Sequence, residues 1–147
     1  MTYELRWLPG QATLADAHAV RRAVFIEEQD VPESLEMDGR DEEATHVVVY
    51  RVDERPELPV GTARLRYPEP EVAKPERVAV DRTHRGRGLG RRLMEALEDE
   101  ARERGCERTT LHAQTAVEAF YRELGYETTS DVFEEADIPH VEMKKRL

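Results

Sequence analysis

The sequence predicts one α/β domain built on a mixed, mostly antiparallel sheet of six or seven strands flanked by helices. Its 147 residues fit a single domain, 1–147, that is large enough to bury a sizeable core. Apolar residues alternate with a period of two in several short segments and recur with a helical period in others. Two of the strand segments favour an antiparallel hairpin, and a later strand runs through a glycine turn into a helix.

The N-terminal third contains a strand, a helix and a loop. Residues 3–8 have a strand pattern, and residues 13–29 follow as an amphipathic helix in which Thr13 and Asp16 are placed as a capping box. The apolar face of this helix consists of Leu14, Ala17, Val20, Val24 and Phe25. Residues 30–43 contain proline, glycine and many acidic residues with little periodicity, which indicates a loop.

A hairpin and a strand–turn–helix unit occupy the middle of the chain. Residues 45–52 and 60–67 alternate as strands and are joined by the turn-rich "DERPELP". After a proline-marked connection at 68–75, "ERVAVD" predicts a strand at 76–81, and a helix covers roughly 89–104. That helix stacks apolar residues at i+4 spacing and ends at a glycine: Leu89, Leu93, Leu97, Ala101 and then Gly105.

The C-terminal part continues with a strand, a helix and two strands. "RTTLHAQ" predicts the strand, and "TAVEAFYRELG" predicts a helix that opens with a capping box of Thr115 and Glu118 and ends at Gly125. Two final strands are predicted at 126–135 and 140–147.

Charge and hydropathy narrow the classes of function. Hydrophobic residues make up 39% and charged residues 37% of the chain, and the formal net charge is −10. This charge disfavours general nucleic-acid binding, which needs a positive face to displace counterions from phosphates, and it permits cationic partners. No stretch approaches the roughly eighteen apolar residues of a membrane span, and "MTYELRW" lacks a signal-peptide core. We therefore expect no membrane association and a cytoplasmic location.

Cysteine and histidine usage argues against a metal site. The single cysteine, Cys106, excludes an internal disulfide and a cysteine-rich zinc site, and its position is typical of a small packed hydrophobe. The five histidines stand at 18, 46, 84, 112 and 140, without the spacing of metal ligands. The sequence therefore predicts no metal cofactor.

The stretch "RGRGLGRRLM" at 85–94 predicts an anion-binding turn. Gly86, Gly88 and Gly90 have no side chains to block approach to the backbone N–H groups of residues 86–91, which stand at the positive end of a helix. Five arginines add positive charge around the turn: Arg82, Arg85, Arg87, Arg91 and Arg92. The alternative is a plain solvent-facing turn, although arginine at a helix N-terminus opposes the helix dipole.

Spacing separates this turn from two common nucleotide-binding loops. A P-loop needs Gly-Lys-Ser/Thr, but no lysine occurs between Lys74 and Lys144. The dinucleotide fingerprint G-x-G-x-x-G needs its third glycine at position 91, where the chain has Arg91, and it should open a parallel βαβ unit near the start of a domain. A kinase and an ATPase are therefore disfavoured, and the dinucleotide fingerprint does not match.

The spacing Arg85-x-x-Gly88-x-Gly90 resembles the R/Q-x-x-G-x-G/A signature of the GNAT superfamily of N-acetyltransferases. In that superfamily the signature follows the fourth strand and binds the pyrophosphate of acetyl-coenzyme A (acetyl-CoA). A second signature is similar as well, because an amide residue at the end of the fifth strand and a tyrosine seven residues later match Gln114 and Tyr121. Glutamine stands here where asparagine is commoner.

Further patterns resemble a subgroup of small GNAT proteins similar to ElaA and YjcF. The subgroup's V-F-x-x-E-Q-x-V-P is similar to "VFIEEQDVP" at 24–32, and its L-x-A-Q-x-x-x-x-F-Y is similar to "LHAQTAVEAFY". Its I-P-H is similar to "IPH" at 138–140. These matches stand in the same order and cover most of the chain.

The resemblance implies a fold and a set of cofactor contacts. The sheet is expected to splay between the fourth and fifth strands, with a bulge at Val80 that admits the pantetheine arm of acetyl-CoA. The implied cofactor-binding residues are Val78, Ala79, Val80, Arg85, Gly86, Arg87, Gly88, Leu89, Gly90, Arg91, Gln114 and Tyr121.

Acetyl transfer to an amine needs an oxyanion donor, an acid and a base. The resemblance implies that the backbone amide of Val80 is the donor and that Tyr121 protonates the leaving sulfur; without that resemblance, Tyr121 is typical of a core aromatic. Glu28 is the first candidate for the base, followed by His140 and His112. Each has an alternative: a surface carboxylate for Glu28, a brace of the proline turn for His140, and an ordinary strand position for His112.

The acceptor implied by the resemblance is an amine of a small molecule or a peptide. Residues 27–43 carry nine carboxylates against only Arg40, and in the family this region borders the acceptor pocket. A preference for cationic amines follows, unless the segment is a solvated acidic loop. The alternatives to an enzyme are a non-catalytic acyl-CoA sensor and a nucleic-acid or protein interaction module. We expect a monomer or a homodimer.

Overall fold

Residues 1–9 and 14–147 are described in a computed structural model of the chain. Their strands form one sheet in the order β1-β2-β3-β4-β5-β8-β6, with β7 paired to β8. The strands are β1 (Tyr3–Trp7), β2 (Thr45–Arg51), β3 (Leu58–Glu69), β4 (Val72–Val80), β5 (Arg108–Gln114), β6 (Glu127–Thr128), β7 (Phe133–Glu135) and β8 (Ile138–Arg146). Neighbouring strands are antiparallel except β4 and β5, which are parallel. The predicted mixed, mostly antiparallel sheet is confirmed.

Helices connect the strands at three places. They are α1 (Ala15–Arg21), which continues as a π-helical segment (Arg22–Glu28), α2 (Glu33–Glu36), α3 (Leu89–Glu103) and α4 (Glu118–Glu123). Short 3₁₀ turns precede β2, α3 and α4. Among residues 1–9 and 14–147, no helix is both long and apolar enough to cross a membrane.

Two stretches of the sheet differ from the prediction. Residues 68–75 are not a connection, because β3 and β4 form a long hairpin that turns at residues 70–71. The strand pattern was hidden because Lys74 and Pro75 interrupt the apolar alternation. Residues 126–135 form two strands, β6 and β7, instead of one, so the described residues contain eight strands where six or seven were predicted.

The helix termini also differ from the prediction. The periodic pattern over 13–29 predicts one helix, but its winding changes from α to π after Arg21. The proposed capping box at Thr13 lies outside the described residues. The capping box of Thr115 and Glu118 is wrong, because no side chain caps that turn and the Glu118 carboxylate accepts hydrogen bonds from Arg122 and Thr128 instead.

The sheet splays between β4 and β5, as predicted. The two strands share only two register pairs, Val72 with Arg108 and Ala73 with Thr109, both at one end. Beyond these pairs each strand keeps its other neighbour, since β4 stays with β3 and β5 stays with β8. The gap between them therefore widens toward the glycine turn.

A one-residue bulge in β4 sets which side chains face the gap. Glu76 pairs with Arg64 and Ala79 with Thr62, so three steps along β4 match two steps along β3. The bulge therefore lies at residues 77–78, where Arg77 has a φ of +55°, and not at Val80 as the sequence predicted. Because it shifts the alternation by one, side chains of residues 78 and 80 face the same side of the sheet as that of residue 73.

The two faces of the sheet carry separate clusters. One face packs against α3, whose apolar stripe is fully buried: Leu89, Leu93, Met94, Leu97 and Ala101. The other face packs against α1 and the π-helical segment at β2, β3 and β4, through residues that include Val20, Val24 and Ala79. The half of that face formed by β5 and β8 carries polar residues such as His112 and Gln114, so this half is left open for a cavity.

Buried arginines link the acidic segment to the sheet. Arg21 and Arg64 are both 1% exposed, and each contacts carboxylates. Arg64 bonds Asp38 at 2.6 Å and Asp41 at 2.9 Å, and its guanidinium lies 2.9 Å from Glu76. Burial by itself would raise the pKa of Glu76, but the hydrogen bonds from Arg66 and the charge of Arg64 outweigh it and lower the pKa to about 2.

This network predicts a steep loss of stability in acid. A carboxyl whose folded pKa is lowered stabilises the fold fully above its ordinary pKa, and this contribution disappears as the pH falls toward the folded pKa. For Glu76 the window runs from about 4.5 to about 2, which corresponds to a loss of about 3 kcal/mol. Urea unfolding at several pH values measures it. Glu76→Gln should be less stable than wild type at pH 7 and lose less stability below pH 4; equal slopes would contradict the assignment.

Candidate active site

A cavity of about 870 Å³ lies along the gap between β4 and β5. It extends from the glycine turn before α3 to the open polar half of the sheet. The predicted site residues that line it are Val78, Ala79, Val80, Arg85, Gly86, Gly88, Leu89, Gly90, Arg91, Gln114, Tyr121 and His140. Of the predicted residues, Arg87 and Glu28 do not line it. The fold thus brings most of the predicted residues together from four separate segments.

Unpaired backbone amides form one end of the cavity. In the part of the chain that the structure describes, the N–H groups of residues 86–91 donate to no acceptor, and the first helical bond runs from Arg92 N to Gly88 O at 3.1 Å. Gly86 and Gly88 have φ values of +77° and +76°, and a Cβ at either position would point into open space. Amides arranged in this way at a helix N-terminus can bind phosphate oxygens.

Gly90 is needed for a different reason, which is close packing. A Cβ at Gly90 would lie 3.3 Å from the ring of Phe120 on α4. The absent side chain therefore lets α4 approach the first turn of α3. This contact fixes the position of α4, which carries Tyr121 as its next residue.

The guanidinium of Arg85 is already bound within the protein. Its two terminal nitrogens each donate to a carboxylate oxygen of Glu28 at 2.7 Å, and its Nε donates to the backbone oxygen of Val80 at 2.9 Å. Arg82 lies 3.6 Å from the same carboxylate. The side chain of Arg85 is therefore engaged within the protein, whereas the amides of residues 86–91 have no acceptor among the described residues and can bind an anion.

These contacts argue against Glu28 as the base. The hydrogen bond from Arg85 lowers the pKa of Glu28 below its ordinary value, so the carboxylate has little tendency to accept a proton. Both of its oxygens are bonded to Arg85, and the residue does not line the cavity. We therefore correct the first choice for the base.

The amide of Val80 points into the gap. Asp81 N donates to Val60 O at 2.8 Å, so these residues form a hydrogen-bonded pair of the β3–β4 ladder. Bonded and non-bonded pairs alternate in an antiparallel ladder, and the next pair, Gly61 with Val80, is therefore non-bonded. The N–H and C=O groups of Val80 consequently face away from β3, toward β5.

Tyr121 lies on α4 at the other edge of the gap. The residue is 8% exposed, and its ring makes edge contacts with the rings of Phe120 and Tyr126. Burial raises the pKa of Tyr121 to about 12, so the hydroxyl stays protonated at neutral pH. This hydroxyl makes no hydrogen bond to any residue in the described ranges, so it is available to donate one to a ligand.

Two histidines share one carboxylate at the open end of the cavity. Glu135 accepts a hydrogen bond from His112 Nδ1 at 3.0 Å and lies 3.7 Å from His140 Nε2. His140 Nδ1 donates to the backbone oxygen of Ile138 at 2.7 Å, which leaves Nε2 free to accept a proton when the ring is neutral. The hydrogen bond from His112 lowers the pKa of Glu135, so its negative charge persists beside both rings.

The acidic segment is largely neutralised within the fold. Most carboxylates in residues 27–43 contact arginines: Glu28, Glu33, Glu36, Asp38, Asp41 and Glu43. Within the described residues, Glu135 is the one carboxylate lining the cavity that has no arginine or lysine bonded to it. The segment therefore gives little support to a preference for cationic acceptors. In residues 1–9 and 14–147, no three His, Cys, Asp or Glu side chains are arranged so that they could hold a metal ion.

Sequence reasoning missed two residues of this site. Glu135 was read as part of a longer strand, although its three-residue strand β7 places it opposite Ile138 of β8. Gln29 was quoted only as part of a motif, yet its Oε1 accepts a hydrogen bond from Gln114 Nε2 at 2.8 Å. The position of Glu135, three residues before the "IPH" motif, was the available signal.

Comparison with known proteins agrees with this geometry. Residues 11–147 match the family model of the acetyltransferase (GNAT) domain. The uncharacterized N-acetyltransferase YjcF of Bacillus subtilis is 41% identical over 133 residues, which cover 90% of this chain and 91% of YjcF.

Two solved structures are similar over nearly their whole length. A candidate N-acetyltransferase from Lactobacillus plantarum superposes with a TM-score of 0.89 at 31% identity, covering 100% of this chain and 99% of that one. Escherichia coli ElaA superposes with a TM-score of 0.84 at 26% identity, covering 98% and 99%. The chain belongs to the GNAT family of acetyltransferases, and within it to proteins similar to ElaA and YjcF.

Proposed function

We propose that the protein transfers the acetyl group of acetyl-CoA to a primary amine of a small molecule or a peptide, by direct attack within a ternary complex. The observation that carries this proposal is a single cavity with unpaired amides at one end and a histidine–carboxylate cluster at the other. The first end suits a diphosphate, and the second suits removal of a proton from an amine. A solved acetyltransferase of the same fold carries bound acetyl-CoA.

Acetyl-CoA would lie with its pyrophosphate on the amides of residues 86–91. Its pantetheine arm would then follow the gap between β4 and β5, where the Gln114 side chain and the peptide groups at the bulge of β4 can bond its amides. The thioester would reach the region between Val80 and Tyr121. This end of the gap is open because β4 and β5 pair only at the opposite end.

The reaction requires one bond to form and one to break. The amine nitrogen bonds to the acetyl carbon, and the carbon–sulfur bond then breaks to release CoA. The Val80 N–H stabilises the oxyanion that forms on the acetyl oxygen. Tyr121 donates its proton to the sulfur as the carbon–sulfur bond breaks; the phenol carries this proton at neutral pH because burial raises its pKa.

His140 is the proposed base. Its Nε2 takes the proton that the amine loses, and the carboxylate of Glu135 stabilises the resulting imidazolium. His140 pairs with Gln114 at the end of β5, whereas His112 stands two residues further from that end. His140 is therefore nearer to the level of the thioester. Exchange with solvent returns the tyrosine and the histidine to their starting states.

His140→Gln should lower kcat/KM roughly 100-fold at pH 7 and remove the rising limb of its pH profile. Glutamine keeps a polar side chain of similar size but cannot accept the proton. Steady-state rates between pH 5.5 and 9 measure the effect. His112→Gln is the matched control and should retain the rising limb. If the limb survives in His140→Gln and disappears in His112→Gln, the base is His112.

The chemical class of the acceptor is tested by free-thiol release with a panel of amines. The panel should contain polyamines, aminosugars, amino acids and peptides with a free amine. Turnover with at least one amine supports the enzyme. CoA binding without turnover in the whole panel would favour the non-catalytic acyl-CoA sensor, and absence of CoA binding would refute both. The carboxylate of Glu135 has no arginine or lysine bonded to it and could bind a cationic acceptor, so a preference for cationic amines remains a hypothesis.

A cytoplasmic location also remains a prediction.

A further inference from the structure

We propose that Glu28 and Gln29 form a clasp that holds the two edges of the gap at the spacing needed for acetyl transfer. They are positioning residues and do not touch the reacting atoms. The two residues stand at the end of the π-helical segment and contact opposite edges. Glu28 binds the β4 edge through Arg85, and Gln29 binds the β5 edge through Gln114. The kinetic part of this inference rests on the proposed function.

The β4 edge is fixed through Arg85. This side chain uses all of its three nitrogens, two toward Glu28 at 2.7 Å and one toward the backbone oxygen of Val80 at 2.9 Å. A bidentate pair fixes the plane of a guanidinium as well as its position. Glu28 therefore orients Arg85, and Arg85 orients the exposed peptide of Val80.

The β5 edge is fixed through Gln114. Its Nε2 donates to Gln29 Oε1 at 2.8 Å, and both side chains line the cavity. Once this bond is made, Gln114 Oε1 remains as an accepting group and Gln29 Nε2 as a donating group. They have the polarity that two pantetheine amides would require.

The strands themselves do not fix this spacing. Their two shared register pairs lie at residues 72–73 of β4 and 108–109 of β5, at the far end from Val80 and Gln114. Near the glycine turn the backbones of β4 and β5 have no mutual ladder bonds. Glu28 and Gln29 are adjacent in the chain, and through Arg85 and Gln114 they connect the two strands at this end. They can therefore set the width of the gap where the thioester lies.

The clasp predicts a change in rate without a matching change in stability. The Arg85 and Glu28 side chains are 41% and 21% exposed, and ion pairs of this kind contribute little to stability. Misplacing a reacting group by a fraction of an ångström is costly, so Glu28→Gln should lower kcat about 10-fold. The Kd of CoA should stay within about three-fold, because the amides of the turn are untouched and Arg85 keeps its charge.

The matched control is Glu27→Gln, which removes the neighbouring exposed carboxylate. It should leave kcat, CoA affinity and the melting temperature unchanged. Arg85→Lys keeps the charge but cannot hold the carboxylate and the Val80 oxygen together, so it should reproduce the loss in kcat. The pH profile of Glu28→Gln should keep its rising limb. An unchanged kcat, an equal loss of kcat and CoA affinity, or disappearance of the rising limb would each overturn the role assigned to Glu28.

A second measurement tests the clasp without turnover. Calorimetry compares CoA with adenosine 3′-phosphate 5′-diphosphate, which is CoA without its pantetheine arm. Gln29→Ala should weaken the binding of CoA about 3- to 10-fold, as expected for the loss of about one hydrogen bond. It should leave the binding of the nucleotide unchanged. Equal weakening of both ligands, or of neither, would overturn the clasp. Because no acceptor is needed, this result is independent of whether the proposed transfer occurs.

Discussion

Gly88→Ala should weaken CoA binding by at least about 100-fold, which corresponds to about 2.7 kcal/mol. Gly88 has a φ of +76°, and its missing side chain leaves open space in front of the amides of residues 86–91. A methyl group there would occupy the path of a phosphate and would strain the turn. Each lost charge-assisted hydrogen bond to the diphosphate costs about 1.5–3 kcal/mol. Isothermal titration calorimetry with CoA measures the effect.

Gly105→Ala is the control for backbone strain. Gly105 follows the other end of α3, has a φ of +82°, and also faces open space. Both substitutions should cost about 1 kcal/mol of folding stability, because alanine is disfavoured in this conformation. CoA should bind Gly105→Ala as it binds wild type. If the two variants lose CoA affinity equally, or if Gly88→Ala binds normally, the amides of this turn are not the phosphate site.

Tyr121→Phe should lower kcat about 100- to 1,000-fold while leaving the Kd of CoA nearly unchanged. In the proposed mechanism the hydroxyl is the proton donor to the leaving sulfur, and its pKa of about 12 keeps it protonated across the neutral range. The ring, which packs in the core, is retained. Steady-state rates and calorimetry together measure the two quantities.

Tyr126→Phe is the control for Tyr121→Phe, because it also removes a buried tyrosine hydroxyl. Tyr126 donates to Glu98 at 3.0 Å and accepts from Thr109 at 2.8 Å, and burial raises its pKa well above the ordinary value. Its loss should destabilise the fold by about 1–2 kcal/mol and change kcat little. Comparable rate losses in both variants would indicate damage to packing, and Tyr121 would then not be the acid.

The cofactor end of the site was predictable because its determinants are local in sequence. Glycine spacing, the following helix and the run of arginines all lie within residues 82–92. Short-range rules on backbone conformation and helix termini apply to such a stretch directly. Gln114 and Tyr121 were predicted only from the resemblance to the GNAT signature, and the fold places both on the same cavity.

Contacts between distant segments were less predictable than the glycine turn. Arg85 and Glu28 are separated by 57 positions, and nothing in their local patterns indicates that they bond. Glu76 of β4 likewise contacts Arg64 and Arg66 of β3, partners that its local sequence does not indicate. Such pairings follow from the register of the sheet, which a pattern of apolar residues does not specify.

The bulge at residues 77–78 constrains the length of β4 more than its composition. Many apolar side chains could replace Val78 or Val80, because what matters there is the peptide groups. Removing one residue from this short stretch would exchange the two faces of the strand and turn those peptide groups away from the gap. Among natural variants of β4, the number of residues between Glu76 and Asp81 should therefore stay constant, although the residues themselves can differ.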